Sequence, residues 1–466
     1  MLYSCGCKDL RNSDWEVARL VTECTRQIAL FSIGKKKVTF APDGQFVASD
    51  AGVLALAKID KRIDLSRRLS GVLIDPRDPD RVVHTYEAQL RQRILQIACG
   101  YEDADDGDAL RLDPLFQTAM GRVPGAESSA LASQPTLSRF ERREYGELLR
   151  MSEVLLDLWL DHLVSRGRKA PRRVILDFDS TDDPTHGAQQ LSMFHGYYDQ
   201  HMFHPLVVFD GEGWPVAMVL RPGNAHASRG AVSILLRIFE RMIDRLPRGT
   251  EIVFRADAGF AIPEIYEMCE ILGIRYAIGQ ITNDSYKARA GKALREARRE
   301  FQRTGEKARV FTEFVYQAKS WDQPRRIVAK AEVMKEGENP RFIVTNLQTG
   351  PEATYQFYTQ RGQSENHIKD LKNAMAADRL SCSDFRSNQF RLLLHTAAYI
   401  LMYVLREQLA GTELARAQMD TLRLKLIKVG ASIVVTARRI WIHISRSHPS
   451  APLLTNVMAQ LYGASP

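Results

Sequence analysis

Tyr358, Arg361, Glu365 and Lys372 stand at offsets of 0, 3, 7 and 14 residues. On an α-helix, at about 100° per residue, these four side chains fall within roughly 60° of one another. One stripe then carries an aromatic ring, a guanidinium, a carboxylate and an ammonium. That set suits phosphates handled beside a metal ion better than it suits a core, because the cations can hold phosphate oxygens while the carboxylate faces a metal.

A single carboxylate does not make a cation site, and the chain supplies others at the ends of core elements. Asp177 and Asp179 alternate on one face of an apolar, β-branched run that starts near Arg173. Asp257 directly follows a second short run, Glu251–Arg255. Carboxylates gathered from strand and helix ends form a hard oxygen cage for Mg²⁺ or Mn²⁺. Two such ions about 4 Å apart activate a water or a 3′-hydroxyl and stabilise the leaving oxygen of a phosphodiester. On these grounds the first ligand is Asp179 or Asp177, with Asp182 a further alternative. Taken alone, each has a plainer reading: a strand-end Asp as a turn residue, and Glu365 with Lys369 as a surface ion pair.

The elements that must position these groups follow from pattern. Residues 1–48 are weakly patterned, with a hairpin expected around Ile28–Phe46 and a turn at Pro42-Asp43-Gly44. Residues 49–170 read as mostly helical, including an amphipathic helix over His84–Ala98 and a capped helix start at Gln134. From Arg172 the texture turns to strands and helices of a mixed α/β core, expected over 171–282 and 341–410. Between them, 283–340 reads as a basic helix followed by a strand-rich insertion, and 411–466 as a basic C-terminal region. Leu392–Leu405 is the longest apolar stretch, too short for a bilayer and expected as a buried helix.

Charge is unevenly placed. Net charge is +8, but Ile281–Lys330 holds 13 Lys/Arg against 6 Asp/Glu, and Thr421–Arg446 holds 6 Lys/Arg and no acid. Positive charge is thus concentrated in two places, as a nucleic-acid surface requires; the plain alternative is a solvated helix face. Cys5, Cys7, Cys24, Cys99, Cys269 and Cys382 form no C-x-x-C pair, which argues against a zinc ribbon. His186, His195, His201, His204 and His226 lack ligand spacing and are expected as satisfied or surface residues. Met1–Leu10 has no apolar leader core, so a cytoplasmic, nucleoid-associated protein without a membrane span or organic cofactor is expected. Trp321, beside Arg325 and Arg326, either stacks a displaced base while the arginines hold its backbone, or packs on its own hairpin. Arg438-Arg439 either contacts phosphates or guards an exposed edge.

The stretch Tyr358…Arg361…Glu365…Lys372 resembles the Y-(2)-R-(3)-E-(6)-K motif of bacterial insertion-sequence DDE transposases. Asp179-Ser-Thr181 and Arg255-Ala-Asp257-Ala-Gly-Phe260 resemble their first- and second-aspartate motifs. Leu131–Arg139, His195-Gly-Tyr-Tyr198 and Glu365-Asn-His-Ile-Lys369 are similar to the thirteen-eighty group of insertion sequences. The likeness runs from about Val38 to about Leu461; the first 25 or so residues have no counterpart. It implies an RNase H-like core, with Asp179 rather than Asp177 joining Asp257 and Glu365 to hold two Mg²⁺ or Mn²⁺ ions. Arg361 and Lys372 would grip DNA and Tyr358 would position its end. The implied reaction is cleavage at terminal inverted repeats and joining of the 3′-hydroxyls to target DNA, by a homodimer on DNA. A nuclease without strand transfer and a non-catalytic DNA-binding derivative are the alternatives.

Overall fold

The computed structural model describes residues 28–40, 46–125, 127–165 and 171–463. Pro42-Asp43-Gly44, Cys5, Cys7 and Cys24 lie outside the described residues. The N-terminal hairpin pairs Ile28–Ile33 with Lys36–Phe40. Its turn falls at Gly34, whose φ of +59° is the left-handed conformation a tight hairpin turn needs.

Helices dominate 53–165. Tyr86–Cys99 is opened by Thr85, whose side chain accepts from the Ala88 amide, and closed by Gly100 in the left-handed region. Tyr145–Ser165 is a long helix with Leu148, Met151, Leu155 and Trp159 buried along one side. Phe385–Glu407 is buried at every position from Ser387 to Leu405, because it lies among other helices and the sheet. Its His395 is satisfied by the Met375 carbonyl. Among the described residues no helix is long and apolar enough to cross a membrane.

One mixed sheet of nine strands organises the middle of the chain. We label eight of them β1 (Arg173–Ser180), β2 (Leu206–Asp210), β3 (Pro215–Val219), β4 (Glu251–Ala256), β5 (Arg275–Gln280), β6 (Ala308–Tyr316), β7 (Arg325–Met334) and β8 (Arg341–Thr345). The spatial order is β6-β7-β8-β5-β4-β1-β2-β3, and the short strand Gly337–Glu338 pairs only with β7. β1, β4 and β5 run parallel, and the other neighbours along this path pair antiparallel. Residues 283–340 form the helices Asp284–Arg289 and Gly291–Thr304 and then β6 and β7, which continue this sheet.

Alternation along β1 separates two packing layers. Val174, Leu176 and Phe178 face the main core, where Phe178 meets Phe254 and Phe260 edge to face. Ile175 faces the other way, into a layer with Val253, Ala277 and Ile343 that Tyr355, Phe357 and Tyr358 of helix Pro351–Thr359 cover. Asp177 and Asp179 share that second face by the period of two. A separate three-stranded sheet pairs Val47–Ala48, β9 (Ala431–Val435) and β10 (Ile440–Ile444).

Candidate active site

The register of β1 and β4 builds the site. Arg255 lies opposite Asp177 and Ala256 opposite Phe178, so Asp257, the next residue, comes level with Asp179. Neighbouring strands are about 4.8 Å apart, and these residues point to one face. Two successive rungs therefore differ in sign. On the lower rung Arg255 donates to both oxygens of Asp177, Nε to Oδ1 at 2.6 Å and Nη2 to Oδ2 at 2.7 Å. Both side chains are buried. On the upper rung two carboxylates face one another with no arginine in the strands between them.

The lower rung also carries the covering helix. Arg255 Nη1 donates to the Phe357 carbonyl at 2.9 Å, and its guanidinium lies 4.9 Å from the Phe357 ring. That contact holds helix Pro351–Thr359 over the strand ends and brings Tyr358 and Arg361 to the upper rung. Arg361 donates through Nη1 to Asp179 Oδ2 at 2.7 Å. Burial pushes Asp179 up to about 6; Arg361 opposes the rise and the Asp257 charge adds to it. Asp257 Oδ1 accepts from the Gly259 amide at 2.9 Å, which fixes the turn after β4.

Tyr358 is seated by a glycine. A Cβ built on Gly279 of β5 would come within 2.5 Å of the Tyr358 hydroxyl and 3.2 Å of the Ala258 amide nitrogen. Only glycine lets the tyrosine approach the backbone after Asp257. Tyr198 is a further neighbour: burial first, then the charges of Asp182, Asp179 and Asp257, raise its hydroxyl above the ordinary range. Sequence reasoning assigned no role to Gly279 or Tyr198. His195-Gly-Tyr-Tyr198 was the available signal for the tyrosine, and nothing local marks the glycine.

The four-residue stripe is not continuous, which corrects the helical reading. Pro351–Thr359 is α-helical, Gln360–Gly362 a 3₁₀ turn, Gln363–Lys369 α-helical and Asp370–Ala374 a π turn. A 3₁₀ turn advances about 120° per residue and a π turn winds more slowly, so the phase slips between the four residues. Tyr358 and Arg361 reach the aspartates. Lys372 instead donates to the Asp182 carbonyl at 2.9 Å and to its Oδ1 at 3.0 Å. Glu365 is exposed. The opposite side of its helix is anchored by His367, whose ring occupies the space left open at Gly213 (φ +93°) and lies 5.5 Å from Phe209.

Among the described residues no three His, Cys, Asp or Glu side chains converge closely enough to hold a metal ion. Asp179 and Asp257 are hard oxygen donors on one face and fit a divalent cation, whereas Glu365 is not brought to them. Asp183 follows close behind: it is buried, and burial, with Asp378 adding, pushes its carboxyl up to about 8. Near pH 7 it is mostly protonated and adds little negative charge there.

The remaining sequence-predicted residues lie in the added part of the sheet. Trp321 is 8% exposed and meets Tyr266 and Tyr316 edge to face. Arg325 donates to both oxygens of Glu270 at 2.8 Å and to Asp322 at 2.6 Å. Arg326 pairs with Glu313 and donates to the Leu347 and Thr349 carbonyls. Of the histidines, His204 is buried against the Ala225 carbonyl, and the exposed His226 meets the Ser228 hydroxyl.

Known proteins place these observations. No curated protein matches the chain. A cryo-EM structure of the piggyBac transposase synaptic complex with hairpin DNA is similar over 80% of this chain and 85% of its own, at 12% identity and a TM-score of 0.33. The family model described as transposase DDE domain, group 1, matches residues 31–466, a span that includes both aspartates, Tyr358, Arg361 and Glu365. The chain therefore belongs to the family of transposases with a group 1 DDE domain.

Proposed function

We propose that this transposase cuts the terminal inverted repeats of an insertion sequence and joins the freed 3′-hydroxyls to target DNA, with Asp179, Asp257 and Glu365 as its metal-holding triad. The observation that carries the reading is the like-charged rung: Asp179 and Asp257 come level at the ends of parallel strands, in a DDE-family chain. Carboxylates side by side repel each other; Arg361 offsets part of that repulsion at Asp179, and a divalent cation between the two would relieve the rest. Divalent ions bound there would supply an activated water or hydroxyl and stabilise the leaving oxygen.

The protein's own groups have distinct tasks. Arg361, now on Asp179, is placed to turn to a phosphate once that carboxylate has another cation. Tyr358 sits at the backbone after Asp257, where it would set the position of the DNA end. Lys372, held at Asp182, would reach a neighbouring phosphate. Glu365 is the third donor in this reading, and bringing it to the aspartates requires residues 360–369 to shift. The strand order β3-β2-β1-β4-β5 supports an RNase H-like core, and the quoted motifs support the thirteen-eighty group. Assembly as a homodimer on DNA belongs to the same reading.

The test incubates the purified protein with labelled candidate ends, a target plasmid and Mg²⁺. Joined products are expected. Cuts without joining would point to a nuclease, and binding without cutting to a non-catalytic derivative. Asp257→Ala and Glu365→Ala are each expected to slow cleavage on the order of 10³-fold, since several kcal/mol of charge stabilisation go with the ions. Full-rate cleavage by either variant would remove that residue from the triad. Calorimetric Mn²⁺ binding gives a separate readout and should be lost in Asp179→Asn.

A further inference from the structure

The C-terminal sheet has one face that the described residues leave exposed. Along β9 and β10 the side chains alternate. Ala431, Ile433, Ile442 and Ile444 belong to the core or pack against it. Ser432, Val434, Trp441 and His443 point the other way and are exposed. Trp441 stands opposite Val434, and His443 opposite Ser432. The indole is 46% exposed, which is costly for the largest apolar side chain unless something covers it. The Trp441 and His443 rings are nearly parallel, at 10° with centroids 6.0 Å apart. The Arg439 guanidinium lies 5.5 Å from the Trp441 ring.

The segment that carries this face is basic. No acid occurs from Thr421 to Arg446. Arg423, Lys425 and Lys428 are engaged by Asp420, Glu413 and Asp50. Arg438, Arg439 and Arg446 are exposed and make no ion pair among the described residues. The turn that presents Arg438 is closed by Thr436, whose amide and hydroxyl both donate to the Arg439 carbonyl. Parallel ring faces, hydroxyls and unpaired guanidiniums on a pleated surface match the chemistry of an unpaired base and its flanking phosphates. Val47, opposite Ser432 on the third strand, adds an exposed apolar side chain to Val434 and Trp441, and the guanidiniums beside these few apolar groups favour an anionic ligand over a protein partner.

We propose that this face of the C-terminal sheet binds single-stranded DNA, with bases stacking on Trp441 and His443 and phosphates held by Arg438, Arg439 and Arg446. The proposal rests on the reading of the chain as a DNA transposase, whose end processing exposes unpaired strands.

The experiment uses the full-length protein and fluorescence anisotropy with short labelled oligo-dT, a mixed-sequence duplex and oligo-rU. Trp441→Ala should weaken oligo-dT binding on the order of tenfold, and Trp441→Phe should restore most of it. The double variant Arg438→Gln/Arg439→Gln should lower the slope of log affinity against log salt by about 1.4, at about 0.7 per phosphate contact. Arg295→Gln/Arg299→Gln, which removes equal charge from the helix Gly291–Thr304, should change oligo-dT binding less. Equal loss in that control, no loss in Trp441→Ala, or tighter binding of oligo-rU than oligo-dT would overturn the proposal. If ends are cut normally while Trp441→Ala binds as wild type, only this face fails. A wild type that binds no DNA would overturn both this proposal and the transposase reading.

Discussion

Two hairpins of this molecule carry a tryptophan beside paired arginines, and they have opposite fates. In the β6–β7 hairpin Trp321 is 8% exposed, and Arg325 and Arg326 are held by Glu270, Asp322 and Glu313. In the β9–β10 hairpin Trp441 is 46% exposed, and Arg438 and Arg439 have no acidic partner among the described residues. The difference comes from what lies across from each hairpin. Helix Pro263–Ile271 offers Tyr266 and Glu270 to the first, so its aromatic ring and cation become a clamp between the added strands and the core. Among the described residues nothing covers the outward face of the second, so the same residue types remain available to a ligand. Composition alone does not distinguish a structural clamp from a binding surface.

The contrast breaks most sharply at the two tryptophans. Trp321→Ala should cost about 3–5 kcal/mol of stability in chemical denaturation, the range for truncating a buried aromatic. Trp441→Ala should stay within about 0.5 kcal/mol, as exposed substitutions do. Similar losses at both positions would erase the distinction.

The arginines come next. Arg325→Leu leaves Glu270 without its main partner and should cost about 1–3 kcal/mol, because Glu270 is partly exposed and water recovers some of the loss. Arg439→Leu has no such partner to strand and should be close to neutral in the same titration.

Acid sharpens the comparison further. Burial would raise Glu332 of β7, but hydrogen bonds from Lys330, Lys307 and Arg309 outweigh it and hold the carboxylate at about 2. A carboxylate depressed on folding stabilises the protein above its ordinary value of 4.5 and loses that contribution as pH falls toward about 2. Glu270 is lowered too: burial opposes the shift, and Arg325, Tyr276 and Gln323 produce it. The β6–β7 region should therefore lose amide-exchange protection between about pH 4.5 and 2. β9 and β10, which contain no carboxylate, should hold theirs until the core itself opens. Simultaneous loss in both would show that the added strands do not respond separately. The smallest effect is salt: raising ionic strength should alter the stability of Arg438→Gln/Arg439→Gln no more than that of wild type, since these arginines support no native pair.

Much of the nine-stranded sheet was legible because it is built from local periodicity. Arg173–Ser180, Leu206–Asp210, Pro215–Val219 and Glu251–Ala256 each lie within a residue or two of an apolar run visible in the chain. The buried helix through Leu392–Leu405 was legible for the same reason. The stripe was not, because residue spacing alone implies an ideal helix where a 3₁₀ turn and a π turn interrupt the winding. Trp321 stayed open between stacking and packing because its neighbours Tyr266 and Glu270 are more than 50 residues away.

By itself the sequence determined which chemistry the chain can carry: acids at strand ends, an arginine and a tyrosine one helical turn apart, and two basic stretches. Those follow from residue type and short-range spacing. Tertiary structure alone decided which acid is spent on an ion pair and which faces another acid. Two residues along each strand separate the Asp177–Arg255 rung from the Asp179–Asp257 rung, and register is set by pairing between segments 78 residues apart. It also decided that Glu365 is exposed, that Gly279 must be small, and which tryptophan is covered. All of these depend on what long-range packing brings opposite each side chain, which local spacing does not encode.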